Sequence, residues 1–131
     1  GATKLLVCKV SGAANLADAR TVAKSVICSS LLKAAMFGAD ANWGRVLCAI
    51  GYAGTGTDIH RVDVSFRSKA GTIDVCKNGS GIPFSEEKAK EILTQDEIDI
   101  LVTLGDGDAC AEAYGCDLTY DYVKINGDYR T

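Results

Sequence analysis

The sequence has little of what marks a membrane, secreted or nucleic-acid-binding protein. No apolar run approaches the roughly 20 residues that a membrane-spanning helix requires. The first residues also lack the basic, apolar and small-residue order of a secretory signal. Its 14 lysines and arginines are outnumbered by 17 aspartates and glutamates, which gives a net charge of −3. Because a nucleic-acid-binding surface normally carries a basic excess, we expect neither nucleic acid nor a membrane as a partner.

The cysteines lack the two-residue spacing of zinc-binding and redox motifs. Most of them lie in apolar stretches, where a free cysteine packs as a small hydrophobic residue. We therefore expect reduced, structural cysteines, no metal site and a cytoplasmic protein. The six cysteines are Cys8, Cys28, Cys48, Cys76, Cys110 and Cys116.

The composition that is present, 47% hydrophobic and 24% charged residues in a chain of 131, is that of one ordinary globular domain. The short apolar run Leu5–Val10 predicts a buried strand. Apolar positions at three- and four-residue steps after Asn15 predict a single long helix that Gly38 closes as a C′ residue. The segment Trp43–Ile50 fits either a short helix or a strand.

The second half of the chain alternates between patterns of period two and short helical patterns. Extended segments are predicted at 61–66, 72–76, 98–104 and 109–115, and helices at 85–94 and 118–125. Asn78-Gly79 is a turn signal, and Asn126-Gly127 should stop the last helix. This mixture predicts an α+β fold: one domain over residues 1–131, with a mixed or antiparallel sheet of about four strands and helices packed on one face.

Four candidate chemical motifs have simpler structural explanations. His60, the only histidine, has no serine or cysteine elbow to partner it in a triad. Residues 54–57 (GTGT) lack the lysine of a phosphate-binding loop, and residues 105–108 (GDGD) lack the late glutamate of a calcium loop. Thr3 leads directly into a strand, which suits its β-branched side chain better than a role as an N-terminal nucleophile.

The Asp40–Arg45 motif combines turn formers, the lone tryptophan and an arginine in six positions. It has two interpretations. The motif either orders a loop, with Trp43 buried and Arg45 paired to Asp40, or it lines a binding surface. The residues that carry either role are Asp40, Asn42, Trp43 and Arg45.

A second polar cluster lies at the C-terminus, where tyrosines flank Asn126 and the sequence ends at Thr131. An asparagine amide both donates and accepts hydrogen bonds, which matches the needs of a zwitterionic amino acid. Alternatively, Asn126 is a helix C-cap followed by a frayed tail.

Both segments resemble blocks of one enzyme family. Residues 38–45 (GADANWGR) resemble the GADPNWGR segment of the ornithine acetyltransferases, also called bifunctional glutamate N-acetyltransferases. Residues 114–126 (YGCDLTYDYVKIN) resemble their terminal WGCDLTYDYVKIN block, and residues 12–25 resemble the stretch around their first helix. The two departures, Ala41 for proline and Tyr114 for tryptophan, leave the resemblance intact from end to end.

The resemblance implies a precursor that cuts itself into two chains, the second of which begins with a nucleophilic threonine. That threonine takes an acetyl group from N-acetylornithine and passes it to glutamate. The sequence resembles about the last third of the precursor, so the nucleophile and oxyanion hole are expected in the part that precedes Gly1. Asn126 and Thr131 match the family's substrate-binding positions, and no residue of this chain is expected to be catalytic.

The implied partners are the α chain and the N-terminal part of the β chain, in a hetero-oligomer. No cofactor is expected, although acetyl-CoA is a co-substrate in some members. A second hypothesis is a non-catalytic assembly module, in which the segment from Trp43 to Arg45 is the subunit contact, since tryptophan and arginine are common interface anchors.

Overall fold

The structure is a computed structural model that describes residues 1–128. Within this range the chain forms six strands, five α-helices and one 3₁₀ turn at Ile59–Arg61. The strands are β1 (Leu5–Ala13), β2 (Asp63–Ser68), β3 (Gly71–Lys77), β4 (Ser80–Gly81), β5 (Glu97–Thr103) and β6 (Ala109–Cys116). The helices are α1 (Leu16–Ile27), α2 (Ser30–Phe37), α3 (Trp43–Gly51), α4 (Glu86–Leu93) and α5 (Tyr120–Asp128).

The strands form one mixed sheet in the order β4-β3-β2-β5-β1-β6. The central pair β1–β5 is parallel, and every other neighbouring pair is antiparallel. The α+β class and the mixed sheet are confirmed, but the predicted count of about four strands is wrong. The short strand β4 escaped prediction because it exists only as the return arm of the Asn78-Gly79 turn, where both residues have positive φ.

One face of the sheet carries the hydrophobic core. Leu6, Cys8 and Val10 of β1 are buried and lie opposite Ile98, Ile100 and Val102 of β5. The alternate positions, such as Lys9 and Ser11, lie on the other face and are only partly covered. Helix α1 packs on β1 and β6, and α4 packs on β2 and β3, so the helices cover the apolar face.

Small residues on β6 let α1 approach the sheet closely. Alanines 109, 111 and 113 and Gly115 face α1 in alternation with exposed side chains. A Cβ atom at Gly115 would lie 2.6 Å from Cγ1 of Ile27, so a larger residue there would push the helix away. The spacing between helix and sheet therefore depends on side-chain size along this strand.

The predicted helix from Asn15 to Gly38 is two helices. Its start is confirmed, because the Asn15 side chain accepts a hydrogen bond from the Asp18 amide. Helix α1 ends at Ile27, and the Ser29 hydroxyl then accepts a hydrogen bond from the Leu32 amide and begins α2. In one continuous helix the three- and four-residue spacing of apolar residues would place Leu31 on the buried face, but the break leaves Leu31 exposed.

Helix α2 ends differently from the prediction as well. Gly38 has φ −79° and is the C-cap, whereas the left-handed C′ position is occupied by Ala39, with φ 52°. The Ala39 amide donates to the Met36 carbonyl and the Asp40 amide to the Ala35 carbonyl, the hydrogen-bond pattern of a Schellman motif. A residue with a Cβ atom thus adopts a conformation that favours glycine.

Candidate functional site

Asn126 lies on α5, which has no buried residue. The helix begins at Tyr120 and runs through Asp128, so Asn126 lies inside it and the predicted stop at Asn126-Gly127 is wrong. Its side-chain Nδ2 donates to the Tyr122 carbonyl over 2.9 Å, and the residue is exposed. Thr131, the second predicted substrate-binding residue, and Tyr129 lie outside the described residues. The substrate-binding roles of Asn126 and Thr131 therefore stay predictions.

Two contacts attach the beginning of α5 to the domain. The Tyr120 ring stands edge-on to Phe37 at the end of α2, with ring centroids 5.4 Å apart. The Thr119 hydroxyl accepts a hydrogen bond from the Tyr122 amide over 3.0 Å, as an N-cap residue does. The same hydroxyl donates to the Gly1 carbonyl, which ties the helix to the first residue of the chain.

A buried carboxylate just before α5 binds the same N-terminal segment. Asp117 is 1% exposed and accepts hydrogen bonds from the amides of Thr3 (2.8 Å) and Lys4 (3.0 Å). The Thr3 hydroxyl also donates to this carboxylate, which gives Thr3 a structural role. Sequence reasoning missed Asp117 and Thr119. Their burial and their partners at the start of the chain leave no local pattern that could have identified them.

Lys4 completes this region from the other side. Its ammonium group donates to the Met36 carbonyl (2.6 Å) and the Leu93 carbonyl (2.8 Å), near the C-terminal ends of α2 and α4. Burial lowers the pKa of Lys4, and the nearby Asp117 carboxylate partly counteracts that shift. The N-terminal segment is thus bonded to two helix ends and to the segment before α5.

The Asp40–Arg45 motif forms the turn between α2 and the N-terminus of α3. The Asn42 side chain accepts a hydrogen bond from the Arg45 amide over 3.1 Å and donates to the Asp40 carboxylate over 3.1 Å. Trp43 is half-buried and packs so closely on Gly81 that a Cβ atom there would lie 2.4 Å from its ring. Segment 43–50 is therefore a helix, capped by Asn42.

Arg45 does not pair with Asp40, although the loop-ordering interpretation of the motif required that pair. Its guanidinium donates to the Leu31 carbonyl over 2.8 Å, because α3 turns that side chain toward the first turn of α2. Leu31 and Arg45 line a cavity of about 260 Å³ together with Cys48 and Tyr52. Within residues 1–128, no hydrogen bond or ion pair links this motif to α5. The two predicted site regions are thus not bonded to each other.

The motifs that were given simple explanations are loops and turns. His60 is exposed in the 3₁₀ turn, and its ring bonds to the Asp58 carboxylate over 3.1 Å. Hydrogen bonds with His60 lower the pKa of Asp58, and the bond from the backbone amide has a larger effect than the bond with the side chain. Residues 54–57 form a loop, and Asp106 lies in a turn, 3.5 Å from Arg61. Across residues 1–128, no three His, Cys, Asp or Glu side chains are grouped as a metal site would require.

All six cysteines are free thiols, but they do not share one environment. Cys8 and Cys76 are buried, and burial raises the pKa of Cys8 to about 12. Cys28, Cys48 and Cys110 are exposed, which contradicts a structural role for all six. Two of these cysteines have apolar sequence neighbours, which had suggested burial. They are exposed because Cys28 caps the end of α1 and Cys48 lies on the outer side of α3.

No helix formed by residues 1–128 combines the length and apolar character that crossing a membrane would require.

The ArgJ family model matches residues 1–131, the whole chain. This chain belongs to the ArgJ family. It is 53% identical to arginine biosynthesis bifunctional protein ArgJ 1 of Clostridium acetobutylicum and 49% identical to glutamate N-acetyltransferase of Methanopyrus kandleri, each over 131 residues. All of this chain is covered in both comparisons, with 32% and 34% of the relatives' lengths. The chain therefore spans about a third of these ArgJ relatives and corresponds to their C-terminal part.

The fold is shared with a solved member of the ArgJ family. The crystal structure of arginine biosynthesis bifunctional protein ArgJ from Bacillus halodurans superposes with a TM-score of 0.91 at 45% identity. The match covers 98% of this chain and 59% of that chain. Both the sequence and the architecture described above are thus those of the ArgJ family.

Proposed function

We propose that this chain is the C-terminal domain of the β chain of an ornithine acetyltransferase. The complete protein transfers an acetyl group from N2-acetylornithine to glutamate. The observation that carries the proposal is the family match over all 131 residues, to relatives named as ArgJ bifunctional proteins and a glutamate N-acetyltransferase. The chain spans about a third of those relatives, and the proposed nucleophile belongs to the remainder.

The proposed reaction is a two-step acyl transfer. The hydroxyl of a threonine, exposed by self-cleavage of the precursor, attacks the acetyl carbonyl of N2-acetylornithine. Ornithine leaves with its α-amine protonated, and an acyl-threonine remains. The amine of glutamate then attacks that ester and releases N-acetylglutamate and the free threonine. An amine near the threonine serves as base, and an oxyanion hole stabilises both tetrahedral intermediates.

In this proposal the described domain contributes substrate binding rather than the nucleophile. The Asn126 amide offers a donor and an acceptor on an exposed helix, where it is accessible to a zwitterionic amino acid. Thr131 is proposed to bind the same substrates. Acetyl-CoA is proposed as a second acetyl donor, since relatives of this chain are named bifunctional proteins. The complete protein is proposed to be a cytoplasmic hetero-oligomer without a cofactor.

The alternative, a non-catalytic assembly module, is favoured by the exposed apolar side chains of α5. Tyr120, Val123 and Ile125 are 83%, 59% and 57% exposed. Surfaces of this kind mark contacts with other protein. The segment from Trp43 to Arg45, suggested above as the subunit contact, is less suited to that role. Trp43 packs on Gly81 and Arg45 bonds to Leu31 within the same chain.

The first experiment measures ornithine release from N2-acetylornithine and glutamate. It compares the 131-residue chain with the complete self-cleaved protein. We expect activity only in the complete protein, because the nucleophile precedes Gly1. Turnover by the short chain alone would place the nucleophile within these residues and would overturn the proposal.

The second experiment tests Asn126 in the complete protein. Asn126→Ala should raise KM for both amino-acid substrates by about tenfold, the effect of one lost polar contact to a bound ligand. Lys124→Ala is the matched control, since it truncates an exposed neighbour on α5. Unchanged kinetics in Asn126→Ala with lost subunit assembly would favour the assembly module instead.

A residue appended after Thr131 tests the last predicted binding position. If Thr131 contacts substrate, a Gly-Ser tail added directly after it should raise KM, whereas the same tail at a distant terminus should not. Equal KM values for both extended proteins would remove Thr131 from the proposed site.

A further inference from the structure

Four residues join the start of the chain to the start of α5, and we call them the clamp: Gly1, Thr3, Asp117 and Thr119. Asp117 receives two backbone amides and one hydroxyl from Thr3 and Lys4, and it is 1% exposed. Thr119 is 3% exposed and uses its hydroxyl twice, as acceptor from the Tyr122 amide and donor to the Gly1 carbonyl. Buried polar groups with all partners in place hold one geometry, because losing any partner leaves a desolvated group unpaired.

The contact between Gly1 and α5 leaves no room for a side chain. A Cβ atom at Gly1 would lie 2.6 Å from the Tyr122 nitrogen and 2.9 Å from its Cα. These are backbone atoms, so a larger residue could be accommodated only by moving the helix or the segment that holds Gly1. The first residue of this chain and the first turn of α5 are therefore fitted to each other at backbone contact.

Other features hold α5 weakly. It has no buried residue, so core packing does not fix its position. Just before the helix, the Leu118 amide donates to the Lys33 carbonyl over 3.2 Å, and the largely exposed Tyr120 ring stands edge-on to Phe37. The clamp, rather than the hydrophobic core, is thus what sets the direction in which α5 and its Asn126 point.

We propose that the clamp positions Asn126 relative to the nucleophilic threonine by coupling α5 to the chain segment that leads into the nucleophile-bearing part of the enzyme. This inference rests on the proposed function. In ArgJ relatives this chain is the C-terminal third, so residues 1–4 continue the polypeptide that precedes them. Asp117 and Thr119 are accordingly positioning residues: they act through Asn126 and contact no substrate.

The test uses the complete self-cleaved enzyme and the pair Thr119→Val and Thr119→Ser. Valine keeps the shape but removes the hydroxyl, whereas serine keeps the hydroxyl. Thr119→Val should raise KM for N2-acetylornithine and for glutamate by about tenfold with kcat changed less than about twofold, because binding rather than chemistry is impaired. Thr119→Ser should restore KM to within about twofold of the wild type. Asp117→Asn, which loses the charge and one acceptor, should resemble Thr119→Val.

A double-mutant cycle distinguishes positioning from general loosening of the domain. If Thr119 acts through Asn126, adding Thr119→Val to Asn126→Ala should raise KM by less than about twofold beyond Asn126→Ala alone. The control is Ser65→Ala, which removes an exposed hydroxyl hydrogen bond from Ser65 to Asp74 (2.6 Å), between β2 and β3. It should leave KM unchanged.

The outcomes separate the two proposals. Unchanged KM in Thr119→Val, or effects of Thr119→Val and Asn126→Ala that multiply fully, would overturn the clamp while leaving the role of Asn126 intact. A rise of KM in Ser65→Ala equal to that in Thr119→Val would also overturn it. Unaltered kinetics in Asn126→Ala would instead reject the proposed substrate-binding role of Asn126, and the clamp proposal with it.

Discussion

Helices α1 and α5 are of similar length but are attached to the domain by different means. Helix α1 buries five residues against β1 and β6, and its last residue, Ile27, packs on Gly115. Helix α5 buries none and is attached through hydrogen bonds and one aromatic pair at its first turn. The difference indicates that α1 stabilises the fold, whereas the side chains of α5 are left exposed.

The largest expected effect comes from truncating an isoleucine in each helix. Ile27→Ala should lower the free energy of unfolding of the 131-residue chain by about 2–5 kcal/mol, because it leaves a cavity beside β6. Ile125→Ala, at an exposed position, should change it by less than about 0.5 kcal/mol. Urea denaturation followed by circular dichroism measures both. Similar losses would mean that α5 is part of the cooperative core.

The second prediction concerns Cys8 of β1, the strand on which α1 packs, and is tested by measuring stability as a function of pH. In the unfolded chain this thiol ionises above its ordinary pKa of 9.0, whereas in the fold burial raises its pKa to about 12. Between these values the folded state holds the proton more tightly, so stability falls as pH rises, by up to about 1.4 kcal/mol per pH unit.

Cys8→Val is the control for this titration because it fills similar volume without an ionisable group. Denaturation curves should be measured for both proteins at several pH values above 9. As the pH rises, the free energy of unfolding of the wild type should approach that of Cys8→Val and then fall below it. Parallel stability curves for the two proteins would show that Cys8 ionises freely in the fold.

Ala39→Gly sharpens the comparison at the end of α2, which carries Phe37 and so supports α5. Relief of the left-handed strain at φ 52° should raise the free energy of unfolding by about 0.5–1 kcal/mol. Ala34→Gly, at an exposed position inside the same helix, should lower it by about 1 kcal/mol. Thermal unfolding of both variants shows whether each substitution raises or lowers stability. A decrease in both would argue against the left-handed conformation.

The smallest global effect is expected from Tyr120→Leu. Loss of the edge-on contact with Phe37, worth about 0.5–1.5 kcal/mol, should speed amide exchange in α5 by about two- to tenfold. Exchange in α1 should stay unchanged. Tyr52→Leu, another exposed tyrosine, is the control. Faster exchange throughout the domain would show that the two helices unfold together.

Much of the fold follows from local patterns. The period of two in β2, the apolar run of β5 and the Ser85 cap of α4 were sufficient to locate those elements, because each depends on neighbouring residues. The break at Ser29 was not predictable in this way. A serine hydroxyl can bond within a continuing helix or cap a new one, and the packing of α2 decides between them.

The candidate site was less accessible to sequence reasoning. The roles of Asn126 and Thr131 came from resemblance, since an asparagine before a glycine reads equally well as a helix end. Asp117 lies in the same motif, but its partners, Thr3 and Lys4, are more than 110 positions away. A buried carboxylate is recognised by its hydrogen bonds, and contacts of such separation leave no periodic trace in the sequence.

The position of β1 in the sheet has a consequence for how the chain folds. This strand comes first in the sequence, yet it lies between β5 and β6, whose residues emerge about 90 to 110 positions later. During synthesis its buried positions stay unpaired until nearly the whole domain has left the ribosome. Pairing across such distances slows folding and prolongs the exposure of apolar strand edges. The nascent domain should therefore depend on chaperones more than a domain built from local hairpins.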